Sequence, residues 1–450
     1  MEFTKSEIDK EYQASENNDG DFGTTISEPD STLTPKIIAP KTTSPRILNV
    51  DLLRGIALLG ILSMNIVSFA MPFPAYRNPH AFMGDSAFNH LLFGLTHIFA
   101  DQKCMGLFSL LFGTSVMLFI SKLKSSGRGV KRYYYSRTLW LLLFGFLHGL
   151  FLWEGDILFY YAFLGLFIYW FWRLFPSIQF GLGIAIFLLA IYFDSMGQEY
   201  INSLSAAEIN YLSYLWLPSD SYINLDTLSH LGPYRDMVDF RWRTNFNFFD
   251  SSVGELSINM LGQGLSRALG MMLIGMAFFK WGIVTGEKSF QFYRNLTFVG
   301  LGIGLPLSSF GLWQFYLHDW DFSYGFFDGL IYNHIATLFT VFGYIGFWSM
   351  LHMLGVFIWL QKGLCAVGRM AFTNYLCQSL ICTTLFYGYG YGFGWFGQLD
   401  RAHALLVVVL IWIFQIIFSL LWMSIFNYGP LEWVWRLLTY FKPTPLLKKY

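Results

Sequence analysis

Ten stretches of this chain are apolar over helix length: 52–71, 104–121, 138–153, 157–175, 178–193, 258–279, 296–316, 331–360, 370–387 and 405–426. A membrane-crossing helix needs about 20 mostly apolar residues, fewer where neighbouring helices shield its ends. The pattern predicts an all-α, polytopic membrane protein with about ten transmembrane helices. The third and fourth stretches are short, which suits a hairpin enclosed by other helices. A further apolar segment, 88–99, is interrupted by His90 and His97 and reads as a half-helix leading into the second span.

Residues 1–45 break this pattern, being dominated by Ser, Thr, Asp, Glu, Asn and Pro, with no apolar region of signal-peptide type. Such a segment cannot bury enough apolar surface to offset its ordering entropy. It is predicted to be a disordered cytoplasmic tail, leaving 46–450 as the transmembrane domain. Basic residues fix the orientation. Lys36, Lys41 and Arg46 precede the first span, and Lys122, Lys124, Arg128, Lys131, Arg132 and Arg137 lie between the second and third. Lys280, Lys288, Arg294, Lys362 and Arg369 follow on the same side, with Arg436, Lys442, Lys448 and Lys449 at the C-terminus. The opposite connections carry few: Arg77, then Arg235, Arg241 and Arg243 in one long loop, then Arg401. Both termini are therefore expected to be cytoplasmic and the connection 194–256 outside. That connection, rich in Tyr and Trp, reads equally as a lid and as an aromatic belt on the headgroups.

Composition agrees with this class: 54% of residues are hydrophobic and only 13% charged, against about a quarter charged in soluble domains. The 29 basic and 29 acidic residues cancel, which argues against a nucleic-acid partner. Cys104, Cys365, Cys377 and Cys382 have no metal-ligand spacing and read as small core residues.

Four constellations could carry chemistry. His148 lies inside the third span, about two turns from a turn bearing Glu154, Gly155 and Asp156. Ionisable groups inside a bilayer are expensive and read first as functional. Against that, Asp156 could simply cap the next helix, and His148 could donate one hydrogen bond. Asp51 and Arg54 share a helix face at the start of the first span. They either anchor that helix or hold a guanidinium toward a phosphate-bearing ligand. Asp101-Gln102-Lys103 follows the half-helix, with Lys103 either neutralising Asp101 or facing a substrate cavity. Asn374 and Gln378, four apart in the ninth span, either line a ligand path or bond across helices, as Thr373 and Ser379 are expected to do. His90 and His97 share a face, but no third ligand accompanies them and no metal site is expected. There is no phosphate loop, zinc motif or nucleophile elbow.

The segments NVDLLRG, KCMGLFSLLFG, GFLHGLFLWEGDIL, GRMAFTNYLCQS and YGPLEWVWR together resemble the YeiB-like family of bacterial membrane proteins, the domain of unknown function numbered 418. The resemblance runs from about Arg46 to the C-terminus. That family in turn looks like part of the transmembrane acyltransferase group, which shares a ten-helix body and a D-x-x-R-G start to the first helix. The resemblance implies acyl-CoA supplied from the cytoplasm and a histidine that helps pass the acyl group to a glycan or lipid acceptor across the membrane. The histidine of the glucosaminide acetyltransferases in that group falls near His80, whereas the YeiB-like hairpin motif carries His148. On this reading His148 is the base, Glu154 or Asp156 orients it, Asp51 and Arg54 contact acyl-CoA, and Lys103, Asn374 and Gln378 line the acceptor site. The rival expectation is a transporter of a small solute; a scaffold in which polar groups only tie helices is a third.

Overall fold

The computed structural model describes residues 47–84, 86–246, 253–389 and 392–448. The predicted tail 1–45, Lys36, Lys41, Arg46 and Lys449 fall outside the described residues. The first half of the body comprises α1 (Leu48–Ala70), α2 (Ala87–Phe99), α3 (Lys103–Ser125), α4 (Val130–Phe151), α5 (Leu158–Ile168), α6 (Pro176–Ser203), α7 (Ala206–Leu212), α8 (Asp220–Leu231) and α9 (Tyr234–Phe246). The second comprises α10 (Gly254–Lys280), α11 (Phe290–Leu317), α12 (Phe322–Gly325), α13 (Ile331–Leu354), α14 (Ile358–Arg369), α15 (Ala371–Phe386), α16 (Arg401–Ile425) and α17 (Pro430–Tyr440).

Each predicted span overlaps a helix of the structure. Six segments (α1, α2–α3, α6, α11, α13 and α16) are long and apolar enough to cross a membrane by length and composition. The other four predicted spans are α4, α5, α10 and α15, which are shorter or more polar; α10 carries Asn259, Gln263, Ser266 and Arg267. Leu406, Leu410, Ile413, Phe414, Ile417 and Leu421 stand exposed along α16. An outer face of this kind needs lipid as its solvent. The protein is an all-α, polytopic membrane protein.

Two boundaries differ from the sequence pattern. The apolar run 331–360 is not one span: α13 stops at Leu354, and Gly355 and Phe357 adopt φ of 62° and 54°. The left-handed turn redirects the chain into α14, an amphipathic helix lying against α1 and α16. Hydropathy averages over such a turn, because its flanks are apolar. The described residues of the connection 194–256 are likewise not irregular. Helix α6 runs on to Ser203, and α7 opens on a capping box of Ser205 and Glu208.

Helices α1, α3 and α10 form the middle of the bundle, around Leu53, Ala57, Leu107, Leu110, Met271 and Ile274. The glycine of DLLRG has a steric reason to be there. A Cβ on Gly55 would overlap the carbonyl of Leu364, and one on Gly368 would overlap the carbonyl of Asp51. Helices α1 and α14 thus cross backbone to backbone, the close approach that small residues permit inside membranes. The amphipathic α17, expected from Pro430 onward, docks on α4: Trp435 Nε1 donates to the Arg137 carbonyl at 2.9 Å. Its Glu432 accepts from the amides of Phe372 and Thr373 at 2.8 and 3.1 Å, supplying the N-terminal cap of α15.

Candidate functional site

His148 ends α4 with both ring nitrogens engaged. Nδ1 lies 2.7 Å from Asp156 Oδ1, and Nε2 lies 2.9 Å from Ser379 Oγ on α15. The Asp156 carboxylate can only accept, so Nδ1–H donates to it, and Nε2 meets the Ser379 hydroxyl. Asp156 also caps α5, its Oδ2 accepting from the Phe159 amide at 2.7 Å. The sequence suggested that Asp156 either orients His148 or caps a helix; it does both. All three side chains are buried. Serine, imidazole and carboxylate stand in the order of a hydrolase triad, but none of them lines the chamber described below. Here they pin α4 and α5 to α15.

Glu154 faces the other way, toward α8 and α9. Its Oε2 lies 3.4 Å from Arg241 Nε and its Oε1 3.9 Å from His230 Nε2. Arg241, fully buried, also donates to the Phe151 carbonyl at 3.1 Å, and Tyr234 donates there at 2.7 Å. The connection is therefore strapped down over the α4–α5 turn. Burial opposes a charge on His230, but its carboxylate neighbours Asp226 and Glu154 outweigh it and hold the imidazolium up to about 9. A raised value means stabilisation fully present below the unfolded value of about 6.5 and lost as pH rises through about 9. Between pH 7 and 10, amide protection in α8 and α9, taken relative to the intrinsic exchange rate at each pH, should fall in the wild type and change much less in His230→Gln. An equal loss of protection in both would remove His230 from the strap.

The remaining expected residues divide between the two ends of the bundle and its interior. Arg54 donates to Asp51 at 3.2 Å, Ser115 at 2.9 Å and the Gly368 carbonyl at 3.4 Å. Asn374 donates to Ser419 at 2.9 Å, and Gln378 to Gln415 at 2.9 Å, so both tie α15 to α16. Lys103 is completely buried and donates to the His97 carbonyl at 2.7 Å, to Ser308 at 2.8 Å and to Asn333 Oδ1. Lys103, Asn374 and Gln378 all turn onto neighbouring helices rather than into the chamber.

The chamber itself, about 100 Å³, is lined by Met64 and Asn65 of α1, by Tyr76 and Arg77 after it, by His97, Asp101 and Gln102 at the α2–α3 turn, and by Arg267 of α10. That turn is unusual, because Gln102 holds φ of 61° without being glycine. Left-handed backbone costs an ordinary residue about 1–3 kcal/mol and persists only where its surroundings hold it there. The turn sets His97 Nδ1 3.4 Å from Asp101 Oδ2, while Asn333 donates to the same oxygen at 2.8 Å. His97 is buried and its Nε2 has no partner. A carboxylate that favours the proton on Nδ1 leaves Nε2 as the basic nitrogen of a ring that lines the chamber. Arg267 is aimed by a string of polar groups: Gln263 donates to Asp194, whose Oδ2 lies 3.3 Å from His334 Nδ1, and Arg267 Nη2 donates to Gln263 at 3.1 Å.

Sequence reasoning passed over Arg267, a lone arginine inside the apolar run 258–279, although an intramembrane charge is itself a functional signal. It also counted Arg77 only as loop charge and left His97 without a role. No group of His, Cys, Asp and Glu among the described residues is arranged to hold a metal ion.

Residues 278–442 match the family described as Protein of unknown function (DUF418). The chain is 32% identical over 411 residues to the uncharacterized protein YeiB of Escherichia coli (strain K12), covering 89% of this chain and 97% of that one. It is 28% identical over 423 residues to the uncharacterized protein YxaH of Bacillus subtilis (strain 168), covering 92% and 98% respectively. An uncharacterized 39.9 kDa protein from the amylase 3' region of Bacillus acidopullulyticus is 27% identical over 403 residues, covering 89% and 95%. No solved structure matches. Near-complete coverage at this identity makes the chain a member of the YeiB-like DUF418 family of membrane proteins.

Proposed function

We propose that the protein is a membrane acyltransferase, moving a small acyl group from acyl-CoA to a hydroxyl or amine on an envelope glycan or lipid. The observation that carries this reading is the partnerless Nε2 of His97, beside Asp101, on the wall of a charged chamber inside an otherwise apolar bundle. His97 acts as general base in place of His148, which does not line the chamber. The acceptor O–H or N–H gives its proton to Nε2 as its oxygen or nitrogen bonds to the acyl carbon. The thioester C–S bond breaks, and the departing thiolate takes the proton back from the imidazolium, so the enzyme is unchanged. Lys103 and Asn333 act on this step from behind, by fixing the His97 main chain and the Asp101 carboxylate.

The cofactor end is the basic one. Asp51 and Arg54 stand there with Arg137 and Arg436, whose charges act on one another. Guanidinium groups suit the phosphates of CoA. Met64 lies ten residues beyond Arg54 on α1, so the donor's acyl end must reach roughly 15 Å to the chamber. This end is cytoplasmic on our reading and the α7–α9 connection is external, in a bacterial inner membrane. A cysteine placed at Ser219, in a background without native cysteines, should react with an impermeant thiol reagent added to intact cells. Reaction only in broken cells would invert the orientation.

The decisive experiment follows a labelled acyl group from acyl-CoA into an envelope extract, using purified protein. Label in a lipid or glycan fraction supports transfer. A charged chamber within membrane helices also favours a second reading, carriage of a small solute. Uptake into vesicles without consumption of acyl-CoA would support that one instead.

A further inference from the structure

We infer that the chamber binds an oxyanion, a carboxylate or a phosphate, gripped by Arg77 and Arg267. The inference deepens the reading above by naming the chemistry of the acceptor, and it is tested without any acyl donor.

Charge is the first argument. Two guanidinium groups and one carboxylate line the chamber, so its wall is net positive even with His97 neutral. Asp101 is already engaged by Asn333 and faces His97. Among the described residues, neither arginine is ion-paired with a carboxylate: Arg77 donates to the Phe326 carbonyl at 3.4 Å, and Arg267 to the Gln263 amide. Nε and Nη1 of Arg267 are buried with no hydrogen-bond partner. Asp101 and Asp194 act on both guanidinium groups, but from beyond ion-pair distance. A cation in an apolar interior faces a pathway or a counter-charge, and a bound anion supplies the direct partner that both arginines lack.

Orientation is the second argument. The string from Asp194 through Gln263 engages only Nη2 of Arg267, which fixes the guanidinium while leaving its other nitrogens for a ligand. Gln102 Oε1 is buried and partnerless at the same wall. It offers the chamber an acceptor for a ligand hydroxyl or amine, separate from His97.

Size is the third. One water needs about 10–15 Å³ of such space, so about 100 Å³ admits roughly seven waters. That fits a carboxylate or phosphate with a few neighbouring atoms, and excludes a whole sugar chain. Only the anionic end of an acceptor enters.

The anion could come free in solution or on a lipid headgroup, and two arms separate these sources. In one, protein in phosphatidylcholine nanodiscs is titrated with inorganic phosphate or succinate, with chloride at equal ionic strength as the control. In the other, nanodiscs contain phosphatidic acid in place of part of the phosphatidylcholine. Thermal unfolding reads binding, since a ligand of the native state raises the midpoint. The expected result is a rise above the control in one arm, with apparent affinity reduced roughly thirtyfold or more in Arg77→Gln and Arg267→Gln. A rise in the first arm assigns a soluble anion; a rise confined to the second assigns a headgroup. No rise in either arm, or an equal rise in the wild type and both variants, overturns the inference. The unliganded variants should still fold, since Arg77 and Arg267 each give up one hydrogen bond, to Phe326 or Gln263. Failure of both to fold would make the arginines structural and overturn it equally. Loss of acyl transfer with anion binding intact would sink the enzyme reading alone.

Discussion

Replacing His97 by glutamine lowers acyl transfer by about 10²–10⁴, the usual contribution of a positioned general base. Glutamine occupies similar space and still donates a hydrogen bond toward Asp101, but it cannot accept a proton at neutral pH. Folding should therefore change little, because the Nε2 being removed has no partner to lose. The parallel change His148→Gln should behave in the opposite sense. It breaks contacts of 2.7 and 2.9 Å that tie α4 and α5 to α15. Breaking such buried bonds leaves Asp156 and Ser379 underpaired and costs stability, typically about 1–3 kcal/mol per orphaned group. Transfer per folded molecule should stay near the wild-type value.

Lys103→Met should destabilise the protein by about 3–5 kcal/mol, the cost of removing one member of a buried charged network. Its ammonium satisfies three acceptors on three elements: the His97 carbonyl, Ser308 on α11 and Asn333 on α13. Asn333 in turn holds Asp101. Methionine matches the length of the chain and none of the hydrogen bonds. The residue was expected from sequence to be either the partner of Asp101 or a substrate group. A variant that unfolds at lower denaturant with an unaltered KM fits the first role. Full stability with a raised KM would restore the second.

The helices were legible because a bilayer imposes one simple rule, an apolar run of fixed length with its backbone bonds satisfied internally. The rule failed where the chain turns without becoming polar. At Gly355 and Phe357 two left-handed residues end α13 inside an apolar run, and no window average registers them. It failed again at 194–256, where local caps such as Ser205 and Ser219 start helices in a polar segment. The polar groups were harder to assign than to find. His148, Asp156 and Ser379 were all singled out, yet their meeting depends on α15 crossing the α4–α5 hairpin, a contact separated by 231 positions in the chain. The chamber joins the turn at Asp101 to Arg267, Phe315 and Leu330. Nothing local in the sequence brings those positions together, although Arg267 alone carried a usable signal as a charge inside an apolar span.

The central claim is that the His97 chamber, and not the His148 hairpin, is the seat of acyl transfer. The most direct test is release of the CoA thiol from acyl-CoA by purified protein with an envelope extract, compared across wild type, His97→Gln and His148→Gln and scaled to folded protein. The account predicts thiol release by wild type and by His148→Gln, and at least a hundredfold less by His97→Gln. Full release by His97→Gln, with loss confined to His148→Gln, would contradict it.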